Sequence, residues 1–159
     1  MACKRLKIAV DARDLNRPIL RGQGRYLLEV ISRLKKYVDV EWHLISDRPD
    51  LPFHLDSLPK ENLHIFDFKG YRYHTWEQVA LPFVAKFIKA DCLFCPGIRT
   101  PYFQPNKTIV TIHDVMPWLA DEEDWPRGFY KDSLMPRAFR KTHKIVTVSR
   151  KSKSDIIGL

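Results

Sequence analysis

Two short stretches place chemically active side chains next to backbone that can position them. In TIVTIHDVMPW, residues 108–118, an apolar, β-branched run ends in His113 and Asp114. A histidine at a strand end can bond a substrate hydroxyl or exchange a proton near neutral pH. It fits a structural role equally well, bonded to a backbone carbonyl. Asp114 fits ligand contact or a cap on the following turn. Gly22-Gln23-Gly24, ahead of an amphipathic segment, can bring backbone N–H groups close to a phosphate at a helix N-terminus. The third glycine of a dinucleotide fingerprint is missing, however, and no acid ends the second strand to hold a ribose. A plain turn explains these glycines as well.

Arg99 and Thr100, after the DCLFC run, and Ser149, closing KIVTVS, become candidates for ligand contact only through their position at strand ends. Cys92 and Cys95 form a CxxC with no second pair or HxxxH partner. On a strand their spacing points them to opposite faces, so core packing is the better reading. The remaining histidines, His43, His54, His64, His74 and His143, have no ligand spacing.

The elements that would carry these residues alternate. LKIAVDA reads as a strand, and the apolar stripe Tyr26, Leu27, Val30, Ile31 and Leu34 predicts a helix from Gly24 to Lys36. VEWHLIS and LHIFDF read as further strands, with a Pro- and Asp-rich loop between them. Thr75 with Gln78 predicts a capping box opening the next helix, which Pro82 should kink or split. ADCLFCPG, KTIVTIHD and KIVTVS read as strands buried on both faces. A helical stretch from about Pro126 to Arg140, interrupted by Pro136, lies before the last of them, and a helix capped by Ser149 or Ser152 follows it. Strand and helix in alternation predict an α/β, doubly wound, mostly parallel sheet, a Rossmann-like single domain over 1–159. Ligands of such sheets gather at the carboxyl ends of the strands, where Gly22, Gly24, Arg99, Thr100, His113, Asp114 and Ser149 all fall.

With 159 residues, 45% of them apolar and 12% aromatic, the chain has room for one sizeable core. No apolar run approaches membrane-spanning length, and Asp11 arrives too early for a signal peptide, so the expected compartment is the cytoplasm. Three cysteines, an odd number, argue for reduced thiols. The net charge of +8 is concentrated at Lys4–Lys7, Arg13–Arg25 and Arg137–Lys153, while Asp121–Asp124 form an acidic patch flanked by Trp118 and Trp125. Clustered Lys and Arg suit a solvated surface, phosphate-bearing ligands or an anionic membrane surface. No motif supports a nucleic-acid partner.

The order of these motifs is more specific than any one of them. KIAVDARDL…GQGRYLLEVISRL, TWEQVALPFVA, ADCLFCPG, TIVTIHDVMPW and AFRKTHKIVTVSRKSKSDI together resemble the N-terminal domain of GT-B glycosyltransferases of the retaining family 4, also called group 1. That resemblance implies the N-terminal half of a GT-B fold that binds mainly a glycan or lipid-linked acceptor. A C-terminal domain would hold the nucleotide diphosphate sugar donor. The carboxylate pair of that domain has no counterpart here, which implies an excised domain or one subunit of a split enzyme, inactive alone.

By the same resemblance, Gly22 and Gly24 match the loop approaching the donor diphosphate, and His113 matches the histidine beside the donor sugar and the reacting bond. Ser149 matches a serine near the interdomain side. No metal and no cofactor are implied. Two alternatives stay open at this level: a non-catalytic docking subunit of a split transferase, and an unrelated nucleotide-binding module.

Overall fold

A computed structural model describes residues 5–34, 36, 39–48, 62–66, 73–119 and 128–158. The acidic patch, Trp125, His54, Cys3, and most of the loop predicted between the second and third strands lie outside the described residues.

Six strands form one sheet in the order β3-β2-β1-β4-β5-β6. They are β1 (Leu6–Asp11), β2 (Val40–Ser46), β3 (Leu63–Ile65), β4 (Cys92–Cys95), β5 (Lys107–Ile112) and β6 (Lys144–Thr147). Every pairing is parallel. The predicted doubly wound, Rossmann-like α/β class is therefore what the chain adopts. All four residues of β4 are buried, as a central parallel strand requires, whereas alternate residues of the edge strand β6 face solvent.

The helices are α1 (Gly22–Leu34), α2 (Tyr73–Thr75), α3 (Leu81–Phe87), α4 (Met116–Leu119), α5 (Met135–Lys141) and α6 (Arg150–Ile157). On one face Leu27 and Ile31 of α1 pack with Val10, Trp42, Leu44 and Phe94. On the other, Trp76, Leu81, Val84 and Ala85 cover Ala9, Ile45, Leu93 and Val110, joined by Phe139 and Ile156. Each large side chain so buried stabilises the fold by about 1.5–3 kcal/mol before its entropy cost.

Three local predictions change. Helix α1 opens two residues early, because the Arg25 amide already bonds the Arg21 carbonyl at 3.0 Å; Gly22 and Gly24 thus lie in its first turn and not in a preceding loop. The capping box at Thr75 does not form: Thr75 is already helical and its side chain accepts no capping bond. Its intended partner Gln78 instead takes the Tyr102 amide at 2.8 Å and donates to the Thr100 carbonyl at 3.3 Å. The strand predicted to reach Ser149 ends at Thr147.

The helix predicted to kink or split at Pro82 runs on through it and changes type just before it. Trp76–Ala80 is π-helical and passes into α3, where Pro82 sits in the first turn and needs no amide donor. The same device recurs around Pro136, with π-helical Tyr130–Leu134 leading into α5.

Candidate functional site at the sheet's switch point

Strand order reverses between β1 and β4, so the carboxyl ends of these strands and of β5 form the crevice where an open α/β sheet takes ligands. Helix α1 enters this crevice with its first turn pressed on the 3₁₀ turn Arg13–Asn16. A Cβ at Gly24 would stand 2.6 Å from the Asp14 carbonyl oxygen, so only glycine allows that approach. Gly22 is different: a Cβ there meets nothing within 4 Å. Of the two glycines, Gly24 is used by the fold and Gly22 faces open space.

His113 follows β5 by one residue and is half-buried. Its Nε2 lies 2.9 Å from the Pro96 carbonyl oxygen, and since that oxygen only accepts, Nε2 must carry the proton and donate. Nδ1 is left to accept from a hydroxyl, or to donate once protonated. The Tyr26 ring from α1 stands edge-on to the imidazole, with centroids 5.0 Å apart, and its hydroxyl bonds Thr111 Oγ1 at 3.0 Å. The Gln23 side chain lies over Gly97, where an added Cβ would stand 3.1 Å from its Oε1. Gln23 and Tyr26 thus bring the α1 N-terminus against both the post-β4 loop and His113. The structural reading of His113 accounts for one ring nitrogen and leaves the other.

Asp114 is exposed, and its Oδ1 accepts the Met116 amide at 3.0 Å, the turn-capping use open to it from sequence. Ser149 caps α6, its Oγ accepting the Ser152 amide at 3.0 Å. Ser152 in turn donates its hydroxyl to the His113 carbonyl at 2.7 Å, fastening α6 to the end of β5.

Arg99 and Thr100 do not face a ligand as free groups. Thr100 is fully buried, its hydroxyl beside the Cys95 thiol, and so is out of reach of solvent. Arg99 Nη1 donates to Glu77 Oε1 at 3.1 Å. Glu77 has no exposed surface, and it also receives the Tyr130 hydroxyl and lies 3.8 Å from Arg13 Nη2. Arg13 forks onto Asp11, with Nε to Oδ1 at 2.9 Å and Nη2 to Oδ2 at 2.7 Å, and its guanidinium stacks over Trp76. Burial pushes the Glu77 carboxyl above its usual range although Arg99 and Arg13 pull it down; burial and Glu77 together push the Tyr130 phenol up.

Sequence reasoning missed this network. The signal was present: Glu77 stands on the apolar stripe with Ala80, Leu81 and Val84, where an acid must find partners. Cys92 and Cys95 are buried free thiols, Cys92 pushed up to about 11 and Cys95 higher still by burial, which makes both inert packing groups. Among the described residues no cluster of His, Cys, Asp or Glu is arranged to hold a metal, and no helix is long and apolar enough to cross a membrane.

The sequence profile of Glycosyltransferase Family 4 matches residues 20–159, and the chain belongs to that family. A comparison with curated proteins returns no match.

Proposed function

We propose that this chain is the acceptor-binding half of a retaining, metal-independent glycosyltransferase, moving a hexose from a nucleotide diphosphate sugar to a glycan or lipid-linked acceptor. The observation that carries this is His113: in a family 4 chain it sits at the switch-point crevice with Nε2 committed to Pro96 and Nδ1 available. With its ring fixed by Pro96 and Tyr26, His113 orients the reacting groups and stabilises developing charge, and no proton abstraction is assigned to it. Exposed Gly22 at the first turn of α1 is the point of closest approach for the donor diphosphate. The donor sugar itself is held mainly by a second domain of the family's GT-B plan.

The acceptor is presented at an anionic membrane surface, on the cytoplasmic side. Val79, Phe83 and Phe87 form an exposed apolar stripe at four-residue spacing, and Lys86 and Lys89 beside it are exposed as well.

Turnover of sugar nucleotide by the chain together with a donor-binding domain tests the proposal. The chain alone should bind nucleotide diphosphate sugars weakly or not at all. With the second domain, His113→Ala should lower turnover by about 10²–10³, the usual cost of removing one charge-stabilising group. Turnover at the parent rate in His113→Ala would sink the assignment.

A further inference from the structure

On the face of the sheet covered by α5, the end of β5 also borders a cavity of about 510 Å³, within the range of small-molecule sites. Its wall is apolar: Ile112 and Val115 from the end of β5, Trp118, Phe139, Ile145 and Ile156. Its polar lining is confined to Asp132, Ser133, Arg137 and Arg140. Arg137 and Arg140 are three residues apart on α5, so both guanidiniums project on one side of the helix. Both are exposed, and among the described residues neither is in an ion pair, unlike Arg13 and Arg99. They open a run from Arg137 to Lys153 that contains seven Lys and Arg and no acid. The aliphatic and aromatic walls suit a hydrocarbon chain, and of the charged lining groups the two guanidiniums outnumber the single Asp132 carboxylate, so the balance at the rim favours an anion.

We propose that this groove binds a single anionic amphiphile, a lipid phosphate whose chain lies along Ile112, Val115, Phe139, Ile145 and Ile156 while its phosphate meets Arg137 and Arg140. The inference deepens the reading of a lipid-linked acceptor and rests on it for biological meaning. Ile112 and Val115 bracket His113-Asp114 in the chain, so the strand end that carries His113 also walls the groove.

The test is calorimetric titration of decyl phosphate, decanol and inorganic phosphate into the full chain, with no sugar nucleotide present. Decyl phosphate should bind more tightly than either other probe. The surface variant Arg137→Ala/Arg140→Ala should weaken decyl phosphate by about tenfold or more and leave decanol unchanged, as loss of charge-assisted hydrogen bonds predicts. Ser133→Trp should fill the groove and remove binding of both chain-bearing probes. Decyl phosphate binding no tighter than inorganic phosphate, or insensitivity to the double arginine variant, overturns the proposal. So does binding of anionic vesicles without any binding of monomeric decyl phosphate. Because no sugar transfer is measured, arginine-dependent decyl phosphate binding would stand even if the His113 assignment failed.

Discussion

Two helices of this chain share one backbone device and use it for opposite ends. Aligned on their prolines, WEQVALPFVAKF (Trp76–Phe87) and YKDSLMPRAFRK (Tyr130–Lys141) each run five π-helical residues into an α-helix with proline at its second position. The first buries Trp76, Glu77, Ala80, Leu81, Pro82, Val84 and Ala85. The second buries nothing in its π-helical part and only Met135 and Ala138 beyond it, leaving the groove. Where the first shows Phe83 and Phe87 to solvent, the second has Arg137 and Lys141. Proline sets the backbone, therefore, but side-chain volume and charge decide whether such a helix closes the core or leaves a site beside it.

The largest expected contrast lies at Glu77 and its counterpart Lys131. Glu77→Ala removes the buried acceptor of the Arg99 and Tyr130 hydrogen bonds and should cost about 3–5 kcal/mol. Lys131→Ala removes a side chain with no described ion pair and should stay within about 0.5 kcal/mol. Urea unfolding of both variants measures the difference. A loss below about 1 kcal/mol for Glu77→Ala would mean that the network contributes little and that the two helices are seated alike.

Packing gives the next contrast. Ala80 is 3% exposed against the core, so Ala80→Leu should cost about 1–3 kcal/mol by overpacking. Ser133→Leu points a similar volume into the groove and should be neutral or stabilising by up to about 1 kcal/mol. Equal destabilisation by the two would show that the groove is closed in solution.

How far the sequence could disclose this depended on whether a residue's partner is local. Strands were legible because β-branched runs such as TIVTI have no comfortable alternative to a buried parallel strand. A serine cap on α6, at Ser149 or Ser152, and a disturbance of the helix at Pro82 were legible because serine and proline act on their own backbone. The failed box at Thr75 shows the limit: Gln78 is taken by Thr100 and Tyr102, more than twenty residues away. Glu77 was legible as an anomaly, an acid on an apolar stripe, but its partners Arg13, Arg99 and Tyr130 come from three other parts of the chain. Arg99 and Thr100 became candidates through position alone, and position on the sheet says nothing of burial or of which groups are already engaged: Thr100 is buried and Arg99 bonds Glu77. His113 lay between these cases: its strand end was readable, while the bond to Pro96 and the Tyr26 edge contact required the fold.

The finest test of the contrast is the charge state of Glu77. Burial raises its carboxyl above the ordinary value of 4.5, and the attraction of Arg99 and Arg13 opposes that shift without reversing it. A carboxyl whose pKa is raised on folding binds more protons in the native state than in the unfolded chain. Its contribution to stability is fully present below about 4.5 and is lost as pH rises through the raised value. Glu77→Gln keeps the shape and removes the titration, so the parent's stability minus that of the variant should fall as pH rises from about 4.5. The slope cannot exceed about 1.4 kcal/mol per pH unit for one proton. A difference that instead grows with pH would mean that the two guanidiniums outweigh burial. The first helix would then be held by an ion pair more than by packing, and the distinction from its partner would be one of charge alone.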